Sequence, residues 1–461
     1  MYNTMKKLLV IVCLTVSLSS IAQDVSDRLK NAYTKFESDS QLSNALSSLY
    51  VVDATSGDVV FDKNSRIGLA TASTLKVITA ATAYELLGKD FRYETKFGYV
   101  GSIKSKSLIG NFYLQPSGDP TFGSWRWKST GDTAIFKELR TAVKKLQINA
   151  YNDVIIDDRG WNSEIIPDGW IWQDIGNYYG AGATGLNWRE NQFDIILKSG
   201  KHLGDPVSVV RTQPAAPVSL VSYAKSAAKG SGDNSYVYYP LLKTGGVVRG
   251  TIPVNENGFK ISAANPLPTK TFTQLLQENL IAGLGMRQIH SQSISHDTTI
   301  LFTHYSPSLD SIVYWFLKKS INLYGEALVK TFSSRKSGIG ETSKGVQIVK
   351  DFWRDKGIAP AELNIVDGSG LSPQTRVTTH AEVTVLKYAR SQPWFNGYYY
   401  AFPEYNGMKM KSGTINDVKG FCGYQKSRDG KEYIFSFLVN NYNGPSAQLI
   451  QKMYKVLDEL K

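Results

Sequence analysis

One apolar run constrains the fold of this chain more than any other stretch. It reads L-A-T-A-S-T-L-K-V-I-T-A-A-T-A-Y-E-L-L-G from Leu69 to Gly88, and its alanines and aliphatic residues predict a helix that Gly88 ends. Ser73 and Lys76 stand three positions apart near its start. Residues at this spacing share one face of a helix, so the Lys76 amine is expected to reach the Ser73 hydroxyl.

This pair has the chemistry of an activated nucleophile. A serine hydroxyl attacks poorly until a neighbouring base removes its proton. Lysine is that base only when desolvation and nearby positive charge keep it neutral. Val77, Ile78 and the alanines provide apolar surroundings, and the amides of a helix's first turn carry partial positive charge. The run therefore predicts a serine hydrolase.

The S-x-x-K pattern is short and recurs by chance. Three further pairs in this chain are Ser222 with Lys225, Ser226 with Lys229, and Ser333 with Lys336. None of the three opens a long apolar helix, which is the context that the chemistry requires. They are predicted to be solvated helix turns, and the pair Ser73 and Lys76 remains the candidate.

Residues 1–22 have the pattern of a secretory signal peptide. Lys6 and Lys7 give the basic start, Leu8–Leu18 the apolar centre, and Ser20-Ile21-Ala22 a small-x-small cleavage site. A membrane-spanning helix needs about 18 or more apolar residues, so this centre is too short to be an anchor. The chain is predicted to be exported to the periplasm and cleaved after Ala22, with no transmembrane anchor in the mature protein.

Cysteine content and net charge indicate what stabilises the fold and which kind of partner the protein meets. Cleavage would remove Cys13 and leave Cys422 alone, so no intramolecular disulfide is possible and the fold depends on its apolar core. A chain of this length holds two or three domains. The formal net charge of +12 comes from scattered basic residues, which in an exported protein favours anionic cell-wall polymers or membrane surfaces over nucleic acid. No phosphate-binding loop or nucleic-acid module is evident.

The start and the middle of the chain differ in pattern. Two β-rich runs flank Ser56-Gly57-Asp58 and predict a hairpin that leads into the Ser73 helix. From about 94 to 299, short strand-like runs alternate with turns such as Pro116–Pro120, which predicts a mostly β insertion. Six tryptophans in this segment are expected to be core residues, with substrate stacking as the alternative: Trp125, Trp127, Trp161, Trp170, Trp172 and Trp188.

The pattern of the first segment resumes after the insertion. One helix is predicted over Tyr314–Phe332, and it carries both Ser320 and Asn322. The glycines of D-G-S-G-L, Asp367–Leu371, predict a tight turn. Ser369 in this turn lacks the flanks of a G-x-S-x-G nucleophile elbow, so its predicted role is structural.

The last part of the chain predicts a sheet between two helices. Thr379–Tyr388 has a helical pattern, and the runs on either side of Asp429-Gly430 form a hairpin with a tight turn. After Pro445, apolar residues recur at helical spacing. They predict a final amphipathic helix that packs on the sheet.

A third motif, at Lys411-Ser412-Gly413, completes an ordered set. S-x-x-K, then S-x-N, then K-T-G or K-S-G is the order found in penicillin-binding proteins and serine β-lactamases, which this chain resembles. The matching residues are Ser73, Lys76, Ser320, Asn322, Lys411, Ser412 and Gly413. A rival K-T-G at Lys243-Thr244-Gly245 precedes the S-x-N motif, so its order is wrong.

The spacing of the motifs resembles one family in particular. Ser73 and Ser320 stand 247 positions apart, which leaves room for a large insertion. Such an insertion is typical of the penicillin-binding protein 4-like D-alanyl-D-alanine carboxypeptidases (class C low-molecular-mass, peptidase S13), which the chain resembles over essentially its whole mature length. Ile321 departs from the Asp of many relatives but is not the catalytic side chain. Ser412 replaces Thr and keeps the hydroxyl.

Other segments that match this family are A-S-T-L-K, S-G-D-P, N-L-Y-G-E-A-L, D-G-S-G-L and K-S-G-T. The resemblance implies an α+β fold. Residues 23–93 and 300–461 are expected to form a β-lactamase/transpeptidase-like catalytic domain, an antiparallel sheet flanked by helices. Residues 94–299 are expected to form the mostly β insertion between the S-x-x-K and S-x-N motifs, divided into two nested subdomains.

The resemblance also implies a role for each reacting side chain. Ser73 would attack the carbonyl carbon between two D-alanines, with Lys76 as the base that takes its proton. Ser320, with Asn322 nearby, would pass the proton to the leaving D-alanine amine. The acyl-enzyme on Ser73 would then be released by water.

The K-S-G-T motif is implied to bind the substrate. Lys411 would supply positive charge toward the terminal carboxylate, supported by the hydroxyls of Ser412 and Thr414. Gly413 completes the motif between them. The backbone amides of Ser73 and Thr414 would form the oxyanion hole, an arrangement worth several kcal/mol of the barrier.

The expected activity is that of a serine D,D-carboxypeptidase on peptidoglycan stem peptides, with D,D-endopeptidase cleavage as a further activity and with β-lactams acylating Ser73. Two alternatives stay open. A β-lactamase is disfavoured because no Glu after Ser320 stands in a deacylation motif. A non-catalytic cell-wall-binding relative is disfavoured because the motif set is intact. No metal or cofactor is expected, since the five histidines show no zinc-ligand spacing.

Overall fold

The structure is a computed structural model that describes residues 25–162, 164–215, 218–240, 245–290 and 297–461. The predicted signal peptide, residues 1–22, lies outside the described residues, as do Lys243 and Thr244 of the rival K-T-G. Within the described ranges, no helix combines the length and the apolar character needed to cross a membrane.

The strands of the described residues are numbered β1 to β22 in chain order. They are Leu46–Asp53, Val59–Lys63, Leu69–Ala70, Glu94–Lys104, Ser107–Gln115, Ala150–Tyr151, Val154–Ile156, Gln192–Lys198, Ser208–Gln213, Leu220–Ser222, Lys225–Ala227, Asn234–Tyr238, Gly246–Pro253, Asn257–Ala264, Arg287–Gln288, Thr298–Tyr305, Leu363–Asn364, Arg376–Val377, Glu404–Tyr405, Met408–Ile415, Val418–Lys426 and Glu432–Asn440.

The helices of the same part of the chain are numbered α1 to α11. They are Val25–Glu37, Lys76–Leu87, Asp132–Lys145, Trp172–Ile175, Pro268–Leu284, Leu309–Lys318, Asn322–Ser337, Thr342–Arg354, Thr379–Arg390, Phe395–Ala401 and Ser446–Leu457.

A six-stranded antiparallel sheet joins the two ends of the chain. Its strand order is β19-β20-β21-β22-β1-β2, so the N-terminal hairpin pairs directly with the C-terminal one. Both predicted hairpins are confirmed, β1 with β2 and β21 with β22. The predicted last helix, α11, is confirmed as well.

Each face of this sheet carries its own apolar core. Side chains alternate between the faces of a strand, so Leu49 and Val51 pack with α1 and α11 on one side. Tyr50 and Val52 pack with α2 and α9 on the other side. The result is a sheet covered by helices on both faces, and the α+β class is confirmed.

Helix α2 lies at the centre of the larger core. Every residue from Lys76 to Tyr84 is buried, because alanine and threonine let neighbouring helices approach from all sides. Gly88 ends the helix at a φ of 82°, as the sequence predicts. The helix is preceded by a 3₁₀ turn, Ala72–Leu75, which carries Ser73.

The middle of the chain builds further sheets. One has the strand order β15-β6-β5-β4-β16, and two smaller ones are formed by β8, β9 and β14 and by β10 to β13. Two long helices, α3 and α5, pack on the first of these sheets around Phe136 and Phe272. The sequence analysis did not predict these helices, because their apolar residues lie within a segment dominated by strand and turn patterns.

We propose that the chain divides into a catalytic domain and an insertion, as the sequence predicts, but that the insertion ends later than the predicted residue 299. Strand β16 pairs along its length with β4, so a border at 299 would divide a strand of the insertion's own sheet. The border therefore belongs after Tyr305. Separate apolar clusters around Phe272 and around Ile195 support two nested subdomains within the insertion.

The prediction of one helix over Tyr314–Phe332 is wrong. Helix α6 ends at Lys318 and α7 begins at Asn322, and Ser320 between them has a φ of 57°. This left-handed conformation costs a serine about 1–2 kcal/mol and stops the helix. It also turns the Ser320 hydroxyl away from the helix path toward Lys411, a contact that local periodicity does not encode.

The tryptophans of the insertion divide between core and surface. Trp170 and Trp188 are buried, as expected for core residues. Trp125 and Trp172 are about half exposed, so the core prediction fails for these two. Trp172 packs against Tyr238 at the rim of the insertion.

The backbone of the nucleophile turn gives a stability prediction. Ala72 and Ala83 are both buried, but Ala72 has a φ of 47° while Ala83 lies within helix α2. Replacing either by glycine removes one buried methyl group, and only Ala72→Gly also relieves a left-handed conformation. Thermal unfolding should show Ala72→Gly to be less destabilising than Ala83→Gly by about 1 kcal/mol. Equal losses would contradict the assigned conformation.

Candidate active site

Ser73 lies in the 3₁₀ turn that leads into α2, where it is partly exposed to a cleft. The turn is fixed by its neighbour Thr74, whose Oγ1 lies in hydrogen-bond contact with Thr71 O at 2.9 Å and with Glu382 Oε1 at 2.6 Å. Burial raises the pKa of Glu382 to about 7. These bonds hold the backbone on which the candidate nucleophile stands.

Lys76 makes three contacts with its amine. Its Nζ lies 2.8 Å from Ser73 Oγ, 2.6 Å from Asn322 Oδ1 and 2.7 Å from Ser369 O. The Asn322 and Ser369 oxygens can only accept hydrogen bonds. A neutral amine has two N–H groups for them, so its lone pair faces the Ser73 hydroxyl. This is the arrangement of a base that takes the serine proton.

The surroundings favour the neutral form of Lys76. Its side chain is fully buried, and burial lowers the pKa of the Lys76 amine well below 10.5, with the positive charge of Lys411 as a second cause. Asp367 and Glu326 oppose this shift. Burial is the largest of the four effects, and it disfavours the charged form of the amine.

The insertion orients one of the site residues. Asn322 Nδ2 donates to Tyr179 O at 2.8 Å, which fixes the amide so that Oδ1 faces Lys76. Tyr179 lies between α4 and β8 of the insertion. The sequence analysis missed this contact, and no signal could have revealed it, because a backbone carbonyl leaves no trace in the residue pattern.

Lys411 and Ser320 form the second half of the site. Lys411 Nζ donates to Ser320 Oγ at 2.9 Å and to Ser412 O at 2.6 Å. The pKa of Lys411 is lowered to about 7, mainly by burial; Cys422 opposes this shift and the charge of Lys419 adds to it. The predicted neighbours of the S-x-N and K-S-G motifs are therefore in direct contact.

Gly413 lets strand β20 approach the nucleophile turn. A Cβ at this position would lie 2.4 Å from Thr71 O and 3.0 Å from Ser73 N. Any side chain would push the turn away. The strand between Ser412 and Thr414 consequently runs beside Ser73, with Thr414 exposed in the cleft.

The D-G-S-G turn, for which only a structural role is predicted, also supplies a hydrogen-bond acceptor to the site. The carbonyl of Ser369 accepts from Lys76, and the carbonyl of Gly368 accepts from Thr79 at 2.7 Å, so the turn lies directly against helix α2. Glu326 braces the turn by accepting from Gly368 N at 3.1 Å. Burial is the main cause that raises the pKa of Glu326.

The site opens into a cleft of about 980 Å³ between the catalytic part and the insertion. Site residues on its wall are Ser73, Ser320, Asn322 and Thr414. The insertion contributes Arg126, Tyr178, Tyr179, Glu190 and Tyr236. Among the described residues, no group of three or more His, Cys, Asp or Glu could hold a metal ion.

Comparison with known proteins identifies the family. A profile described as the D-Ala-D-Ala carboxypeptidase 3 (S13) family matches residues 29–404. The chain belongs to this family. The resemblance inferred from the motifs is confirmed, and with it the assignment of the chain as a serine-type enzyme.

Individual relatives agree with this assignment. A D-alanyl-D-alanine carboxypeptidase from an Actinomadura species is 25% identical over 90% of this chain and 81% of its own length. The crystal structure of penicillin binding protein 4 (dacB) from Haemophilus influenzae matches with a TM-score of 0.78 and 20% identity, over 94% of this chain and 99% of that one. A structure of the same protein complexed with a β-lactam matches with a TM-score of 0.73 and 19% identity, over the same shares. The likeness to these structures shows a common fold.

The close packing at Gly413 predicts a sensitive position. Gly413→Ala should slow acylation of the protein by benzylpenicillin about 100-fold, because displacing a reacting group by about 1 Å has a cost of this size. Time courses of intact mass measure the rate. Gly283→Ala is the control, since its Cβ would lie 3.7 Å from the nearest atom of another residue. An unchanged rate in Gly413→Ala would contradict the proposed contact.

Proposed function

We propose that this enzyme is a serine D,D-carboxypeptidase that cleaves the D-Ala-D-Ala bond of peptidoglycan stem peptides. The observation that carries the proposal is the triple contact of the Lys76 amine with Ser73 Oγ, Asn322 Oδ1 and Ser369 O. It supplies a buried base beside a serine in a chain that belongs to a D-Ala-D-Ala carboxypeptidase family.

Acylation begins with transfer of the Ser73 proton to Lys76. Ser73 Oγ attacks the carbonyl carbon between the two D-alanines and forms a tetrahedral intermediate. The backbone amides of Ser73 and Thr414 donate to its oxyanion, and each such donor typically contributes about 3–4 kcal/mol. The proton then passes through Ser320, which Lys411 contacts, to the nitrogen of the leaving D-alanine. The C–N bond breaks, D-alanine leaves, and the acyl group stays on Ser73 Oγ.

Hydrolysis of the acyl-enzyme reverses the proton path. Once D-alanine has left, Lys76 is again neutral and takes a proton from the attacking water. The C–O bond to Ser73 breaks, and Ser73 recovers its proton. Removal of a cross-linked peptide at a D-alanyl bond would use the same steps, so endopeptidase cleavage is part of this proposal.

Substrate selection relies on the terminal carboxylate. Lys411 attracts it, and the hydroxyls of Ser412 and Thr414 donate hydrogen bonds to it. A β-lactam carries a comparable carboxylate beside a strained amide, so it should acylate Ser73 and remain attached. Export to the periplasm, where peptidoglycan is found, completes the proposal; the +12 net charge favours such an anionic setting.

The first test is the intact mass of the protein after incubation with benzylpenicillin. Wild type should gain the mass of one penicillin, and Ser73→Ala should gain none. Ser222→Ala is the matched control, because Ser222 belongs to another S-x-x-K pattern. This variant should be acylated like wild type. An adduct that persists in Ser73→Ala would overturn the assignment of the nucleophile.

The second test is release of D-alanine from a stem pentapeptide. Wild type should release one D-alanine per peptide, and Ser73→Ala should release none. Penicillin that is consumed rapidly, with no release of D-alanine, would indicate a β-lactamase instead. If the protein neither forms the penicillin adduct nor releases D-alanine, it would be a non-catalytic wall-binding protein.

A further inference from the structure

Two lysines lie buried on neighbouring strands at the active-site end of the catalytic sheet. Lys411 on β20 is 1% exposed and Lys419 on β21 is 6% exposed. In the described part of the chain, neither amine has a carboxylate within 4 Å, although burying an unpaired charge is costly. Lysine amines buried without a carboxylate partner next to a substrate cleft can donate hydrogen bonds to an anion and, when protonated, supply positive charge to it.

Lys419 is joined to the cleft through one side chain. Thr414 and Lys419 are directly paired across β20 and β21, so their side chains emerge on the same side of the sheet. Lys419 Nζ donates to Thr414 Oγ1 at 2.8 Å and lies 4.7 Å from the centre of the Phe421 ring. Thr414 itself is exposed in the cleft.

This contact decides which way the Thr414 hydroxyl points. Lys419 Nζ is the donor to Thr414 Oγ1, and burial lowers the pKa of this amine to about 8. Thr414 Oγ1 therefore accepts from Lys419, and its own O–H is free to point into the cleft. A hydroxyl polarised by an adjacent ammonium is a strong donor to an anion.

We propose that Lys419 is a positioning residue for substrate selection, and that it acts through Thr414 to make the enzyme specific for a free C-terminal carboxylate. The anion is the carboxylate of the terminal D-alanine, so the inference rests on the proposed function and extends it to a residue outside the three motifs. Lys411 attracts the same carboxylate but also contacts Ser320. Among the described residues, Lys419 has no hydrogen bond to Ser73, Lys76 or Ser320, and its direct contact with the site is the one to Thr414.

Two peptides that differ only at the C terminus test this role. One ends in D-Ala-D-Ala with a free carboxylate and the other in the corresponding amide. Lys419→Met keeps the length and the apolar stem of the side chain and removes its charge. It should reduce kcat/KM for the carboxylate peptide at least tenfold, mainly through KM, and leave kcat/KM for the amide peptide unchanged.

Matched variants separate selection from folding. Lys426→Met removes an equal charge from the exposed end of the same strand and should leave kcat/KM unchanged for both peptides. Lys419→Arg keeps a cationic donor and should preserve the preference for the carboxylate. For the carboxylate peptide, the double variant Lys419→Met/Thr414→Val should lose little more than Thr414→Val alone, because both changes remove one path.

The outcomes are distinct. An equal loss on both peptides in Lys419→Met would assign the residue a merely structural role and overturn the inference, as would unchanged kinetics on both. If Lys419→Met does not fold, Lys419→Gln removes the same charge, and the same outcomes on the two peptides apply to it. If wild type cleaves neither peptide, the proposed function fails. The inference is then tested by comparing acylation by benzylpenicillin with acylation by its methyl ester. It is supported if wild type prefers the free acid and Lys419→Met abolishes this preference. Any other result overturns it.

Discussion

The burial of one amine governs this active site. Lys76 is enclosed by helix α2, the D-G-S-G turn and the start of α7, and its three hydrogen-bonding partners come from three distant parts of the chain. Desolvation alone makes the charged form unfavourable, and Lys411 adds to the effect. Asn322 Oδ1 and Ser369 O accept from its N–H groups, which leaves the lone pair of a neutral Lys76 facing Ser73.

The sheet and the insertion each position part of the active site. The sheet places Lys411 and Gly413 beside the nucleophile turn, and the close approach depends on the missing side chain of Gly413. The insertion fixes Asn322 through the carbonyl of Tyr179 and forms one wall of the cleft. The segment that separates the motifs in sequence is thus part of the site in space.

Much of this arrangement could be predicted from the sequence. The Ser73 helix, the two hairpins and the motif residues follow from apolar periodicity, turn residues and ordered short motifs. The break at Ser320 could not be predicted, because neither its left-handed backbone nor its contact with the distant Lys411 is encoded in local periodicity. The carbonyls of Ser369 and Tyr179 have no residue signature, and Lys419 belongs to no motif. Its importance appears only when burial and partners are known.

The most direct test of this account is a titration of Lys76 itself. Selective ¹³C labelling of lysine side chains, with the signal assigned by loss in Lys76→Arg, gives the pKa of this amine by NMR. The account predicts a midpoint well below 10.5 that rises when Lys411→Met removes the neighbouring positive charge. A midpoint at or above 10.5 would mean that Lys76 is an ammonium at neutral pH, and it would contradict its role as the base that activates Ser73.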